Sequence, residues 1–223
     1  MAATTSQNRA LRQALQPSTD HLNALLAAMG ATRAVDGVMD GYVTVAPEFW
    51  SLSVRAMDFG RTDLPASVTF AGILPTAPPP SMLPAEVVEL LQSPRPLVVV
   101  TQGTIANNDF SRLIRPTLDA LADQDVDVLA ALGPGRTLDH VPANAVAVGW
   151  VPFGDILPRA SVYVTNGGFG GTQLALASGV PVVTSGATED KSLVAARVAA
   201  ARVGIDLGPD VPSPDAIRTA VTT

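Results

Sequence analysis

The stretch TNGGFGGTQLALASGVP, residues 165–181, places four glycines around a single phenylalanine. It follows the apolar run SVYVT and leads into the apolar run PVVTS, so a strand is expected to end and a helix to begin within it. Glycine destabilises a helix by about 1 kcal/mol relative to alanine. Four glycines at this turn therefore predict either a ligand that approaches the backbone closely or a turn in which helix and strand pack tightly.

Similar apolar runs recur on both sides of this stretch. They are rich in β-branched residues and almost continuously apolar, which is typical of parallel strands covered on both faces. Helical stretches separate most of them, and this alternation predicts an α/β fold with a doubly wound, Rossmann-like parallel sheet. The six runs are LVVVT (97–101), VDVLAAL (126–132), AVAVGW (145–150), SVYVT (161–165), PVVTS (181–185) and VGIDL (203–207).

The composition excludes several classes of partner. The chain has 223 residues, a formal net charge of -6 and no cluster of basic residues, which argues against nucleic acid or an anionic membrane surface as its ligand. It has no cysteine and only two histidines, so no metal site is expected. No uncharged apolar run is long enough to span a membrane and the first residues are polar, so a cytoplasmic location is expected.

The expected sheet also predicts where a ligand would bind. Ligands of doubly wound sheets lie at the carboxyl ends of the strands, where the strand order reverses. With the usual order, the loops TQGT (101–104) and TNGGFGGT (165–172) converge there, and the following helix begins with unpaired N–H groups that attract an anion. We therefore expect a phosphate-bearing ligand. The spacing is not G-x-G-x-x-G, and no acidic residue ends the following strand, which disfavours a nicotinamide cofactor.

Proline divides the chain. The stretch TAPPPSMLP, residues 76–84, predicts a semi-rigid linker because proline fits neither a helix interior nor a paired strand. Before it lie two helical pieces and two short runs read as extended, YVTVAP (42–47) and SVTFAGILP (67–75). This front portion is too small and too broken to form a domain alone. We expect three parts: residues 1–75, a linker over 76–93 and a sheet domain over 94–223.

Further motifs carry a resemblance to a known family. The region contains W-V-P at 150–152, N-G-G-F-G-G-T at 166–172, G-V-P at 179–181 and D-K at 190–191. At these spacings it resembles the donor-binding C-terminal domain of GT-B glycosyltransferases of the UDP-glycosyltransferase type, especially the bacterial macrolide and antibiotic enzymes. The resemblance extends over residues 96–207. It implies inverting transfer of a sugar from a nucleotide diphosphate sugar, UDP-sugar or dTDP-sugar, to a hydroxyl of a small-molecule acceptor, without a cofactor.

The same resemblance implies donor-binding roles for nine residues. Trp150 would stack on the donor's base, with the Val151 backbone at the base edge; a core tryptophan at a strand end is the alternative. Asp190 would accept hydrogen bonds from sugar hydroxyls, unless it is a solvated carboxylate or a helix-start acid. The residues expected at the diphosphate are Thr104, Asn166, Gly168, Gly170, Gly171 and Thr172. For Thr104 the alternative is a helix N-cap or a turn hydroxyl, and for Asn166 it is a helix N-cap or a left-handed backbone conformation.

Four positions depart from the family pattern. Asn166 stands where the family usually has a diphosphate-binding histidine, and its amide cannot become cationic. Lys191 follows Asp190 where glutamine or asparagine is usual. Phe153 and Leu174 replace a glutamine and an acidic residue that hold the nucleoside. These departures leave the nucleotide and the sugar open.

The resemblance also implies a missing half. Residues 1–75 resemble the last part of the N-terminal acceptor domain, whose opening part holds the family's catalytic histidine. Neither His21 nor His140 matches that histidine, so the catalytic residues are unknown and the chain is expected to be a truncated glycosyltransferase. A complementary N-terminal half or a homodimer would be its protein partner. The alternatives are a nucleotide-sugar binding module without transfer activity and a nucleotide-sugar epimerase of the same architecture.

Overall fold

The computed structural model describes residues 2–74, 83–103, 107–208 and 211–223. Helices and strands are numbered here in chain order, and three 3-10 turns, Arg55–Met57, Phe110–Arg112 and Leu157–Arg159, lie between them. The helices are α1 (Ala2–Ala14), α2 (Gln16–Ala28), α3 (Gly41–Val45), α4 (Ala85–Gln92), α5 (Ile114–Leu121), α6 (Phe153–Ile156), α7 (Phe169–Ala177), α8 (Lys191–Ala200) and α9 (Pro214–Thr222). The strands are β1 (Phe49–Ser51), β2 (Val68–Phe70), β3 (Leu97–Thr101), β4 (Asp127–Ala131), β5 (Ala145–Val148), β6 (Ala160–Thr165), β7 (Val182–Thr184) and β8 (Gly204–Asp206).

The chain divides into two units, which are described separately. The first holds the residues up to Val54 together with Gly60–Gly72, and the second holds Arg55–Phe59 and Ile73–Thr223. Most of the proline-rich segment lies outside the described residues, and α4, at the end of the expected linker, packs within the second unit. The three-part division of the chain stays a prediction.

The six apolar runs form one parallel sheet, as predicted. Its order is β5-β4-β3-β6-β7-β8, so the first and fourth of these strands, β3 and β6, are neighbours at the point where the order reverses. The register sets Thr101 beside Thr165 at the carboxyl ends of the two strands. The α/β class and the doubly wound arrangement are confirmed, and they bring the loops after β3 and β6 to one edge of the sheet.

Helices cover both faces of this sheet. Alternate residues of each strand point to opposite faces, and both sets are apolar because neither face meets water. On one face α5 and α9 bury Val98, Val100, Leu113, Ile114, Leu118, Ala120, Leu121, Val128, Ala130, Leu132, Val164, Val183, Ile217 and Ala220. On the other face α4, α6, α7 and α8 bury Val87, Leu97, Val99, Leu129, Ala131, Val151, Ile156, Leu157, Tyr163, Ala175, Val180, Val182 and Val198, with Met57.

The first unit has helices α1 to α3 and one pair of parallel strands, β1 and β2. Val35 is its one buried apolar side chain among the residues whose burial is described. The reading of YVTVAP as extended is wrong, because Gly41–Val45 is helical. Gly41 packs so closely on Val35 that a Cβ there would lie 2.3 Å from the Val35 Cβ, and this local packing overrides the weak strand preference of three β-branched residues.

Within the described residues, no helix combines the length and the apolar character needed to cross a membrane.

Candidate functional site

The two loops expected to converge are joined by a direct hydrogen bond. The Asn166 Nδ2 atom, one residue after β6, donates to the backbone carbonyl of Gln102, one residue after β3. Each strand ends in a threonine whose hydroxyl accepts from a loop N–H two residues on: Thr101 from Gly103 and Thr165 from Gly167. These bonds hold both loops against the sheet edge. Thr104, the remaining predicted residue of the first loop, lies outside the described residues.

The glycines after β6 are present for different physical reasons. Gly167 has φ +92°, a backbone conformation that other residues rarely adopt. A Cβ at Gly170 would meet no atom within 4 Å, so the missing side chain there leaves open space. A Cβ at Gly171 would lie 2.3 Å from the hydroxyl oxygen of Tyr163. The loop thus needs glycine once for conformation and once for packing, while Gly170 keeps the space beside α7 free.

That space belongs to an open cleft of about 320 Å³, called here the glycine-loop cleft. It contains five of the nine predicted donor-binding residues: Asn166, Gly168, Gly170, Gly171 and Asp190. Its other described walls are Thr101, Gln102, Gly103, Phe153, Tyr163, Thr165, Phe169, Glu189 and Lys191. The first N–H groups of α7 lie at this cleft, where the positive end of the helix dipole favours an anion.

Thr172 is placed differently from its neighbours in the loop. Its side chain is fully buried, and its Oγ1 atom has no hydrogen-bond partner among the described residues. Its backbone N–H donates to the Gly168 carbonyl at 3.1 Å. The structure therefore brings Thr172 next to the cleft but does not place its hydroxyl in the cleft wall.

A second cleft of about 330 Å³, the tryptophan cleft, lies beside the first. The two share Thr101, Gly103 and Phe153 as walls. Trp150 lines the tryptophan cleft and is 55% exposed, so it is not a core tryptophan. The Val151 side chain is buried in the core beneath it. An exposed indole beside an anion-attracting loop offers a flat apolar surface for a heterocycle.

Asp190 and Lys191 form the start of α8 at the glycine-loop cleft. Asp190 holds the N-cap position, but its side chain makes no capping hydrogen bond and is exposed. Asp190 thus lies at a helix start with a solvent-exposed carboxylate, as both alternatives describe, and its role at the sugar stays a prediction. Lys191 is only 5% exposed, and its Nζ atom forms an ion pair with Glu189.

Sequence reasoning missed two buried residues that shape the site. The Gln102 side chain accepts from the N–H groups of Leu113 and Ile114 at 3.2 and 3.0 Å, which fixes the first loop to the start of α5. Burial raises the pKa of Tyr163, so its hydroxyl stays protonated beneath Gly171. Gln102 could have been noticed as a polar residue directly after a fully apolar strand. Nothing in the sequence pairs Tyr163 with Gly171.

Neither histidine belongs to the described walls of the two clefts. His21 and His140 are exposed and are absent from the described walls of either cleft. The described residues contain no group of three or more His, Cys, Asp or Glu side chains arranged to hold a metal ion.

A parallel sheet with this order and two adjoining clefts at its carboxyl edge defines a Rossmann-like domain of the type found in GT-B enzymes. Residues 115–223 match the family model described as "Erythromycin biosynthesis protein CIII-like, C-terminal domain". This match confirms the resemblance to glycosyltransferases of the UDP-glycosyltransferase type that the motifs predicted.

Curated relatives agree with this assignment. The chain is 37% identical to 4'-demethylrebeccamycin synthase of Lentzea aerocolonigenes over 201 residues, which cover 90% of this chain and 48% of the relative. It is 41% identical to UDP-glucosyltransferase avaP of Aspergillus versicolor over 184 residues, 80% of this chain and 40% of the relative. The chain thus spans about half the length of the curated relatives that it matches.

Solved structures show the same fold. The calicheamicin glycosyltransferase CalG4 superimposes with a TM-score of 0.67 at 26% identity, covering 91% of this chain and 50% of that one. The glycotransferase of kitacinnamycin superimposes with a TM-score of 0.72 at 22% identity, covering 96% and 58%. The GT-B C-terminal-domain fold of the sheet unit is therefore confirmed.

Proposed function

We propose that this chain is the donor-binding part of a glycosyltransferase, which transfers a sugar with inversion from a nucleotide diphosphate sugar to a hydroxyl of a small molecule. One observation carries the proposal: the glycine-loop cleft and the tryptophan cleft share walls at the carboxyl edge of the sheet. A diphosphate in the first and a base against Trp150 in the second would be adjacent, as they are in a nucleotide. The names of the curated relatives support a UDP-sugar as donor.

The chemistry assigned to this chain is stabilisation of the leaving group. As the bond between the anomeric carbon and the diphosphate oxygen breaks, negative charge grows on that oxygen. N–H groups at the start of α7 are oriented in advance toward this charge, which lowers the barrier without any rearrangement. Asp190, exposed at the same cleft, is suited to accept hydrogen bonds from the hydroxyls of the sugar. This assignment calls for no cofactor.

The base that deprotonates the acceptor is assigned to another part of the protein or to a partner. Both histidines are exposed and lie outside the described cleft walls. We infer that a complementary N-terminal half, or a second copy of the chain, supplies both the base and the acceptor pocket. A cytoplasmic location for this reaction stays a prediction.

Titration calorimetry of the full chain should show that UDP or dTDP binds more tightly than NAD. The reason is that the clefts offer an anion site and a stacking surface, whereas no acidic residue ends β7 to hold a ribose of the nicotinamide cofactor. Trp150→Ala should weaken nucleotide binding by about 1–3 kcal/mol, the usual contribution of a stacked base. Because Trp150 is exposed, this variant should keep the wild-type melting temperature. Tighter binding of NAD would contradict the proposal.

A second candidate function is nucleotide-sugar binding without transfer, which the placement of both histidines favours. Incubated with a UDP-sugar and an acceptor, the chain alone should release UDP slowly and form no glycoside, since much of the rate depends on positioning a base and an acceptor. Addition of the N-terminal half of a close relative should then restore glycoside formation, measured by mass spectrometry. Efficient glycosylation by the unaided chain would show that a base lies within it and would contradict this division of roles.

A further inference from the structure

Charge in the glycine-loop cleft is distributed unusually for an anion site. Three charged side chains line it among the described residues, and two of them, Glu189 and Asp190, are acidic. Lys191 is the one basic side chain in this described wall. It also lines a smaller cavity beside the cleft, together with Asn166 and Gly186. Among the described side chains of this wall, Lys191 is therefore the one whose charge can attract a diphosphate.

The backbone is shaped around the stem of this lysine. A Cβ at Gly167 would lie 3.3 Å from the Lys191 Cβ, and a Cβ at Gly186 would lie 3.3 Å from the Lys191 Cδ. The two glycines therefore leave room for the methylene chain to pass between the loops after β6 and β7. The result is a side chain that is only 5% exposed, on a residue that lines the cleft, with its ammonium group paired to Glu189 of the same cleft wall.

Asn166 is not equipped to hold the phosphate charge. Its Nδ2 atom donates to the Gln102 carbonyl, and its Oδ1 atom is buried without a partner among the described residues. An amide oxygen only accepts hydrogen bonds, and a phosphate oxygen at neutral pH also accepts them. The unpaired oxygen therefore suits a hydroxyl of the sugar, and the phosphate needs a donor elsewhere.

The present partner of Lys191 is readily displaced. Glu189 is 53% exposed on its side chain and has φ +58°, a conformation uncommon outside glycine. A buried ammonium group must be paired, whereas an exposed carboxylate can return to water at little cost. An ion pair of this kind holds the ammonium group in place while no ligand is bound. A more highly charged anion can then replace the carboxylate.

We propose that Lys191 is the diphosphate-binding cation of this site and that its ammonium group exchanges Glu189 for the donor's phosphate oxygens. The proposal rests on the proposed function, because it assumes that the cleft takes a nucleoside diphosphate. In this proposal Lys191 takes the cationic role that a histidine at the position of Asn166 would have. Lys191 thus stabilises both the bound donor and the UDP or dTDP that leaves.

The test compares Lys191→Met with wild type in titrations with UDP and with uridine. Methionine keeps most of the stem packing and removes the charge. The affinity for UDP should fall about 10- to 100-fold, the usual loss for a hydrogen bond to a charged group, while that for uridine stays within about twofold. Raising the salt concentration should weaken UDP binding to wild type more than to Lys191→Met.

Glu189→Gln provides a second readout that does not depend on the folding of Lys191→Met. The phosphate would no longer compete with a carboxylate, so UDP should bind several-fold more tightly than to wild type, and uridine should not. If Lys191 only supports the loop, Glu189→Gln should bind UDP as tightly as wild type does or more weakly. That result, or Lys191→Met binding UDP as wild type does, would overturn this inference alone. Wild-type protein that binds neither UDP nor dTDP would overturn the proposed function itself.

Discussion

Gly186→Ala is expected to destabilise the sheet unit by about 3 kcal/mol, which corresponds to a fall in melting temperature of about 6–12 °C. The added Cβ would lie 2.3 Å from the backbone carbonyl oxygen of Asn166. A backbone atom cannot rotate away as a side chain can, so the loops after β6 and β7 would have to separate. That separation would also displace Asn166 and Lys191 and thereby weaken nucleotide binding.

Gly170→Ala is the matched control for this prediction. It makes the same chemical change in the first turn of α7, at a position where no described atom outside the helix backbone lies within 4 Å of the new Cβ. Alanine also favours the helix that begins here, so the melting temperature should stay the same or rise. Thermal unfolding of the two variants by circular dichroism checks the pair. Equal stability of Gly186→Ala and wild type would show that the loops after β6 and β7 do not pack as described.

Gly171→Ala should also destabilise the sheet unit, by about 1–3 kcal/mol, because its Cβ would press on the Tyr163 hydroxyl at 2.3 Å. Tyr163 cannot move aside easily, since it is fully buried and its ring packs edge-on against Phe153 with centroids 5.7 Å apart. The clash should exceed the gain of about 1 kcal/mol that alanine brings to a helix.

Tyr163→Phe should partly reverse this effect. Removal of the hydroxyl leaves the ring carbon Cζ as the nearest atom, at 3.2 Å from the new Cβ, a distance that small shifts can relieve. The double variant should therefore be more stable than the sum of the two single changes predicts, by about 0.5–3 kcal/mol. Urea denaturation of the four proteins measures this coupling. Additive losses would mean that the Gly171 backbone and the Tyr163 hydroxyl are not in contact.

The arrangement of the sheet could be predicted because its signals are local and repeated. Six apolar runs with helices between them leave few topologies open, and the right-handed crossover rule narrows these further. The start of α7 could also be predicted, because glycines next to the end of a strand indicate a turn from strand to helix. The helix begins at Phe169, within the stretch where a helix start was expected. By contrast, YVTV forms a helix. Its three β-branched residues give only a weak preference for a strand, which the close packing of Gly41 on Val35 outweighs.

For the residues of the cleft, too, some features could be predicted from the sequence and others could not. Asn166, Gly168 and Gly170 could be placed at one edge because loops after adjacent parallel strands must meet there, and the family resemblance added Asp190. Which side chain faces the cleft could not be predicted. Thr172 turned out to be buried, although the motif suggested a ligand-facing hydroxyl. Whether a side chain in the first turn of a helix faces the cleft or the core depends on how the helix is rotated about its axis. The sequence does not fix that rotation.

The sequence by itself determined the fold class, the resemblance to a known family and, once the usual strand order was assumed, the place where a ligand would bind. The fold class follows from the periodicity of the apolar runs, and the resemblance rests on short motifs; both are properties of neighbouring residues along the chain. Only the tertiary structure decided that Trp150 is exposed, that Tyr163 occupies the space beside Gly171, and that Lys191 passes between two glycines to reach the cleft. Those contacts join residues from different loops and strands, and their distances depend on how closely two backbones approach.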